Sequence, residues 1–405
     1  MSAAPGGYRE LDGPASQQGM RRANLALVLG TVARLGTASR AQLSESTGLT
    51  RAAVGSLVGE LIEAGLVRER GVSLQGRVGR PGVTLTVSDR GPCGLGLEIG
   101  VEHLGACVVD LRHEVRVRNR RPVPGRGQEP GETLGLLASL ARAALAEAAG
   151  QGLEPAGVAI AVPGLVAKAG VVEHAPNLGW RGVDVAAELR PLLPGTLRGL
   201  PFGVENEANL GALAELWHGA AGRDFVHVSA AAGIGGALVV DGMLLRGRRG
   251  FAGELGHMPV HPDGPACPCG SHGCLEQYAG EAAVLRSCGL HDAPGDRVSL
   301  LAAEAARGRA EVLGALDDAG RALGIALAGA VNLVDPEKVV LGGAYAELAA
   351  WLTPAMQAEL GARVRIRPWD PAELAVSALR REGPVVGAAT SAVQRVIDDP
   401  SSLRT

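Results

Sequence analysis

The sequence predicts a two-part chain: a mainly α winged helix-turn-helix head with a small β wing over residues 20–88, then an α/β body over residues 93–398. Three observations lead there. Two short helical patterns about a glycine, a longer helical pattern and a basic two-strand segment follow an aperiodic start. Strand and helix patterns alternate from Cys93 onward, which favours α/β. The charge is also split unevenly. Ten Arg stand against six Asp and Glu in residues 1–88, a balance of +4, whereas the remainder holds 29 basic and 36 acidic residues, a balance of −7. A basic head on an acidic body is the pattern a nucleic-acid-binding head produces, although solvated surface produces differences of that size too.

Residues 1–19 are rich in Gly, Pro, Ser and Ala, show no periodicity, and predict a flexible arm. Leu25, Leu27, Val28, Thr31, Val32 and Leu35 then form one apolar face of a helix that Gly36 stops. A short helix follows over Ala38–Thr47, closed by Gly48, and a third runs from near Thr50 through Val54, Leu57, Leu61 and Ile62 to Ala64. Thr50 suits the N-cap, because its hydroxyl can accept from an unpaired backbone N–H. Together with Thr50, Arg51, Ala52, Gly55 and Ser56 form the face that would enter a DNA major groove. Gly55 costs about 1 kcal/mol relative to Ala within a helix. Close approach to a phosphate backbone would justify it, and so would neutral drift.

Arg68-Glu69-Arg70 and the alternating Val83–Val87 read as the two strands of a wing whose glycine-rich tip carries Arg77 and Arg80. Arg80, in the thin Gly-Arg-Pro-Gly stretch, is placed to enter an A·T-rich minor groove.

The chain of 405 residues exceeds what one core usually supports, so more than one domain is expected. No apolar run approaches the length of a membrane span, and the N-terminus lacks a signal-peptide core. Lysine occurs only at Lys168 and Lys338, an arginine bias that looks like genome composition. Of six cysteines, Cys267, Cys269 and Cys274 crowd into eight residues and Cys93, Cys107 and Cys288 are scattered. That argues for a metal site in a reducing cytoplasm rather than a disulfide framework.

The body carries Ala252-Gly253-Glu254-Leu255-Gly256-His257, then Cys267-Pro268-Cys269-Gly270-Ser271-His272-Gly273-Cys274-Leu275-Glu276. With Glu205-Asn206-Glu207-Ala208-Asn209, Gly233-Ile234-Gly235-Gly236 and the segment Val334–Gly343, these motifs resemble the ROK family of repressors, open reading frames and sugar kinases. The resemblance covers roughly residues 20–390 and is to the repressor branch, which carries the same N-terminal head. It implies a two-lobed actin/hexokinase-like (ribonuclease H-like) body. It also implies a sugar site at Gly164, Asn206, Glu207, Glu254, His257 and Glu276, with Asn177 a weaker candidate. Carboxylates and an amide suit paired hydroxyl hydrogen bonds.

One imidazole and three thiolates make a closed tetrahedral set that suits structural zinc and leaves no position for catalytic water. His261 and His272 compete with His257 as the fourth ligand. The Gly-His spacing and the resemblance favour His257 with Cys267, Cys269 and Cys274. His257 can serve zinc with one ring nitrogen and face a ligand with the other.

Against that family's kinases the sequence departs twice. Glu207 stands where the kinases carry an aspartate base, and one extra methylene would displace the carboxylate by about 1 Å, enough to cost about 100-fold. The first phosphate loop reads Glu98-Ile99-Gly100-Val101-Glu102-His103, without hydroxyl residues and with Glu102 adding negative charge beside phosphates. The expectation is therefore a sugar-responsive DNA-binding regulator, a repressor of carbohydrate-utilisation genes with no catalytic residue. The alternative is an active ATP-dependent ROK sugar kinase bearing a DNA-binding head. Expected partners are an operator duplex, a sugar or sugar-phosphate effector, and a second copy in a dimer or higher oligomer. The polar ring does not distinguish xylose, glucose and N-acetylglucosamine. The apolar helices at 312–331 and 348–360 are candidates for the dimer interface, or for core.

Overall fold

A computed structural model of the chain describes residues 17–72, 83–123, 127, 129–219 and 221–404. Residues 1–16 of the expected arm, and Arg77 and Arg80 at the expected wing tip, lie outside the described residues.

The N-terminal unit contains helices α1 (Gln17–Leu35), α2 (Arg40–Thr47) and α3 (Arg51–Glu63) and strands β1 (Ala38–Ser39), β2 (Val67–Val72) and β3 (Val83–Val87). The strands form one antiparallel sheet in the order β1-β3-β2. Three expectations are corrected. Helix α1 already includes Gln17, Gln18 and Gly19, so the arm ends earlier than residue 19. Its buried stripe is Leu25, Val28, Leu29, Thr31 and Val32, while Leu27 and Leu35 are exposed. At a period of 3.6, Leu25, Val28, Leu29 and Val32 share a face that position 27 leaves. Ala38 and Ser39 pair with Leu85 and Thr84 as a strand instead of opening α2. Ser39 then acts as the α2 N-cap in a capping box with Gln42, which satisfies two backbone donors reciprocally.

The body holds two five-stranded sheets of matching topology. The first comprises β4 (Gly91–Ile99), β5 (His103–Asp110), β6 (Val115–Pro122), β7 (Leu153–Val162) and, after α4 (Pro130–Gly150) and the small sheet β8 (Leu165–Val166), β9 (Val172–Ala175) and β10 (Trp180–Val183), β11 (Phe202–Asn206). Helix α5 (Val185–Leu189) precedes β11, and α6 (Glu207–His218) follows it. The second sheet comprises β12 (Phe225–Ala230), β13 (Ile234–Val240), β14 (Met243–Leu244), β15 (Lys338–Gly342) and β16 (Leu374–Val376). Around it lie α7 (Glu276–Ala279), α8 (Glu281–Ser287), α9 (Arg297–Ala306), α10 (Ala310–Val334), α11 (Gly343–Arg363) and α12 (Gly383–Asp398).

The sheet orders β6-β5-β4-β7-β11 and β14-β13-β12-β15-β16 place the first strand of each lobe centrally, an antiparallel meander on one side and parallel strands on the other. Two helices cross between the lobes. Helix α6 leaves β11 of the first sheet and packs on β12 and β13 of the second, whereas α12 leaves the second lobe and packs on β4, β5 and β7 of the first. The two meet where Gly387 lies against the Leu210 carbonyl so closely that a Cβ there would overlap it.

Helix α12 also joins the body to the N-terminal unit. One apolar core runs from Leu25, Val28, Leu29 and Val32 of α1 into Val386, Val393 and Ile397 of α12. Arg22 pairs with Asp399 just beyond it. A second joint centres on Asp89, which accepts from Arg68 at 2.8 Å and pairs with Arg112 at 3.0 Å. Burial of Asp89 works against its charged form, but Arg112 and Arg68 outweigh it and hold the carboxyl below its ordinary value. The stripes on α10 and α11 pack into the core of their own lobe: Val312, Leu316, Leu323, Leu327, Leu348, Leu352 and Leu360 are buried within the single chain, and this corrects their candidacy as an interface.

Candidate ligand cleft and metal centre

The glycine loop Gly233-Ile234-Gly235-Gly236 is where three site segments meet. A Cβ at Gly233 would run into Glu276, one at Gly235 into Ala208, and one at Gly236 into Leu255 and the Gly253 carbonyl. The absence of side chains therefore lets the start of α6, the start of α7 and the turn before His257 converge on one strand entry. The backbone N–H of Ile234 donates to Glu276 Oε2 at 3.0 Å.

Asn206 caps α6, its Oδ1 accepting from the N–H groups of Ala208 (2.8 Å) and Asn209 (3.2 Å). Its Nδ2 donates to the Gly164 carbonyl at 2.8 Å, tying α6 to the strand end before β8. Asn209 donates to Glu205 Oε1 at 2.9 Å and Arg246 to Glu205 Oε2 at 2.8 Å, so Glu205 is occupied in holding this turn. Of the six predicted sugar residues, Asn206 and Gly164 are in direct contact. Glu254 lies 3.9 Å from His257 Nε2, and Glu276 sits on the glycine loop beside Asn177.

Glu207 faces a cleft between the lobes, lined from one side by Glu98, Glu102, His103 and Arg120, and from the other by His227, Glu281, Arg297, Gly343, Arg380 and Arg381. Burial pushes its carboxyl up to about 8, with the nearby Glu98 adding to the shift, so Glu207 keeps its proton at neutral pH. In its protonated form the group can donate a hydrogen bond.

The first loop is filled from within. Glu98 is buried and pairs with His103 at 3.2 Å. Glu102 pairs with Arg297 of α9 at 2.9 Å, and Arg297 also holds Glu281 at 2.7 Å. Carboxylates and arginines thus satisfy one another across the lobes. Glu98, Glu102 and His103 stand together in one sequence motif, whereas Arg297, Arg381 and His227 do not. These come from segments far apart in the chain, so no local motif announces them.

The metal-type cluster forms as expected. The ligating atoms of His257, Cys267, Cys269 and Cys274 all lie within 4.8 Å of one another, and neither His261 nor His272 joins them. Cys269 Sγ and Cys274 Sγ are 3.7 Å apart, and Cys267 Sγ is 3.9 Å from His257 Nδ1. A tetrahedral centre with bonds of about 2.3 Å to sulfur and about 2.05 Å to nitrogen separates its ligands by about 3.8 and 3.6 Å, so the set fits a zinc-sized tetrahedral ion. The backbone preforms the loop: Cys267 N–H donates to Ser271 O and Val260 N–H to Gly273 O, both at 2.8 Å. Gln277 Nε2 approaches Cys267 Sγ at 3.8 Å from α7, tying the cluster to the helix that bears Glu276.

Residues 94–395 match the ROK family. The chain belongs to the ROK family. It is 30% identical over 389 residues to the xylose repressor of Bacillus subtilis, a match that covers 95% of this chain and 98% of the relative. Among solved structures it resembles a ROK family transcriptional regulator, a homologue of the Escherichia coli MLC protein, with a TM-score of 0.77 and 26% identity over 95% of this chain and 98% of that one. A ROK family glucokinase from Streptomyces griseus, solved with glucose and AMPPNP, matches with a TM-score of 0.62 and 27% identity, covering 75% of this chain and 99% of the kinase. The kinase match leaves a quarter of this ROK chain uncovered, and the regulator match leaves a twentieth. The two lobes are the actin/hexokinase-like ROK fold. No helix among the described residues is long and apolar enough to cross a membrane.

Proposed function

We propose that this ROK protein is a sugar-responsive transcriptional repressor of carbohydrate-utilisation genes. The observation that carries the reading is that its similarity to repressors extends over 95% of the chain, N-terminal unit included. In this reading residues 20–88 are a winged helix-turn-helix, α3 is the recognition helix and β2–β3 the wing. Thr50 accepts from Ala53 N–H at 3.2 Å, and Arg51, Ala52 and Ser56 are exposed just beyond this cap, with Gly55 half-buried. Such a helix start offers both a side-chain face and backbone N–H groups to DNA. Arg77 and Arg80 are the residues that this reading assigns to an adjacent groove.

Sugar binds at Gly164, Asn206, Glu207, Glu254, His257 and Glu276, and the glucose held by the related kinase supports a ligand of that size. Zinc on His257, Cys267, Cys269 and Cys274 holds the loop that presents His257 and Glu276, a structural role. Phosphoryl transfer is not part of this reading, because the Glu102–Arg297 pair spans the first loop. Sugar closing the lobes would shift α6 against α12, and α12 shares its core with α1. The signal is limited to the difference in sugar affinity between the two states.

Footprinting on the protein's own promoter tests the reading. A dimer predicts two protected half-sites about 34 Å apart, or a multiple of that spacing. A hexose or pentose should alter the protection without consuming ATP. Sugar-dependent ATP turnover with no footprint would establish the kinase alternative.

A further inference from the structure

Helix α6 carries residues of two different kinds at its two ends. Asn206 and Glu207, which the sugar-responsive reading places on sugar, stand at its start, and Trp217 and His218 close its last turn. Between these ends the Leu210 carbonyl is pressed against Gly387 of α12, and Gly383, one turn earlier on α12, faces Gly211. Backbone set on backbone has no side chain to yield, so this crossing is a point about which α6 tilts rather than slides. Asn206 stands four residues before Leu210, and His218 eight residues after it. At about 1.5 Å per residue the two arms measure about 6 and 12 Å, so a tilt at the sugar end moves the far end about twice as far.

The far end is held by polar contacts. His218 Nε2 and Thr390 Oγ1 of α12 share a hydrogen bond at 2.7 Å, and Thr390 is fully buried. Burial, with His113 adding to it, lowers the His218 pKa to about 4, so the bond joins two neutral groups. Val386, Ala389 and Val393, which flank Thr390 on α12, belong to the core shared with α1. His218 also lies against His113, with ring centroids 5.7 Å apart, and Trp217 meets the same ring at 6.3 Å. His113 stands in the turn between β5 and β6 at φ 62°, and its buried Nε2 has no hydrogen-bond partner. A side chain keeps such a backbone and such an isolated nitrogen only where its surroundings impose them. Beside it in that turn, Arg112 Nε donates to the Val87 carbonyl of β3 at 3.1 Å. One end of α6 therefore touches both routes into the N-terminal unit.

We propose that α6 is a lever pivoting on Gly387, and that His218 is the positioning residue that delivers its motion to α12 through Thr390 and to the β5–β6 turn through His113. The proposal rests on the sugar-responsive reading above and deepens it, by naming the contact through which the body sets the head. His218 stands about 18 Å along the helix from Asn206 and outside every segment assigned to DNA. Its loss should leave each ligand bound and uncouple the two, which separates it from a residue of either site.

The test measures coupling in the full-length protein, as the ratio of operator dissociation constants with and without saturating sugar. Fluorescence anisotropy at fixed salt gives the ratio, with xylose, glucose, N-acetylglucosamine and their phosphates as probes, and calorimetry follows sugar binding without DNA. In wild type one probe should change the operator constant about tenfold or more. With that probe His218→Leu and Thr390→Val should each cut the ratio at least about threefold, while each variant still binds operator alone and sugar alone. The double change should cost no more than the larger single change, because both break one bond. His218→Gln, whose amide reaches toward the Thr390 hydroxyl, should restore the ratio. A merely structural role would lower the melting temperature without moving a ratio taken within one protein. Should His218→Leu fail to fold, Thr390→Val decides alone. Wild-type ratios in the variants would overturn the proposal and leave the sugar reading standing, as would a loss that His218→Gln does not restore. A wild type whose operator binding no probe alters would overturn the sugar reading and the lever with it.

Discussion

Gly387 of α12 rests on the carbonyl of Leu210 of α6, with no room for a methyl group between them. Replacing Gly387 with Ala removes a helix penalty of about 1 kcal/mol. It also forces apart two helices whose obstacle is backbone, and overpacking of that kind costs about 1–3 kcal/mol or more. Overlap wins, so Gly387→Ala should lower unfolding free energy in urea by about 1–2 kcal/mol. A variant as stable as wild type would show that the two helices slide freely.

The thiolate cluster predicts one tightly held zinc per chain. Cys274→Ser should leave zinc content near zero and lower the melting temperature, because a structural ion contributes its binding energy to folding. Atomic absorption on purified protein measures the first effect and a thermal scan the second. Unchanged melting after complete removal of the metal by a chelator would contradict a structural role.

Glu207 predicts a pH signature. The unfolded carboxyl loses its proton near pH 4.3, whereas the folded one retains it to about 8. Between those values the native state binds the extra proton, so this group makes stability fall as pH rises and level off above about 8. Glu207→Gln removes the slope. Urea midpoints of the two proteins at pH 5, 6, 7 and 8 should diverge steadily in favour of the variant, and parallel curves would place an ionised carboxylate in the cleft.

At the head, Thr50→Ala removes the hydroxyl that accepts from Ala53 N–H and should cost about 1 kcal/mol of stability. Arg51→Ala removes no internal hydrogen bond or ion pair seen among the described residues, so it should leave stability within about 0.5 kcal/mol. If α3 enters DNA with Arg51 on a phosphate, its loss weakens binding on all sequences and lowers the salt slope by about 1. Operator titrations at three salt concentrations measure that slope.

Much of this was legible in the chain. Thr50, Gly48 and the buried Val54, Leu57 and Leu61 mark α3 by local chemistry, and the thiolate spacing marks the metal loop because its ligands are close in sequence. The start of α2 was misread because Ala38 and Ser39 belong to a strand whose partner, Leu85 with Thr84, is distant. The α1 stripe slipped for a similar reason: α12 decides that Leu29 is inside, and nothing near Leu29 says so. The stripes of α10 and α11 announced burial but not their partner, which is each other. In the cleft, Glu207 stands in a motif, whereas Arg120, Arg297 and Arg380 meet only through the fold.

The most direct test is the dissociation constant for the protein's own operator at fixed salt, measured by fluorescence anisotropy across free sugars and their phosphates. The account predicts nanomolar-range specific binding that one compound changes tenfold or more. Tight binding that no compound alters would contradict a sensing body, and failure to distinguish operator from random duplex would contradict the repressor itself.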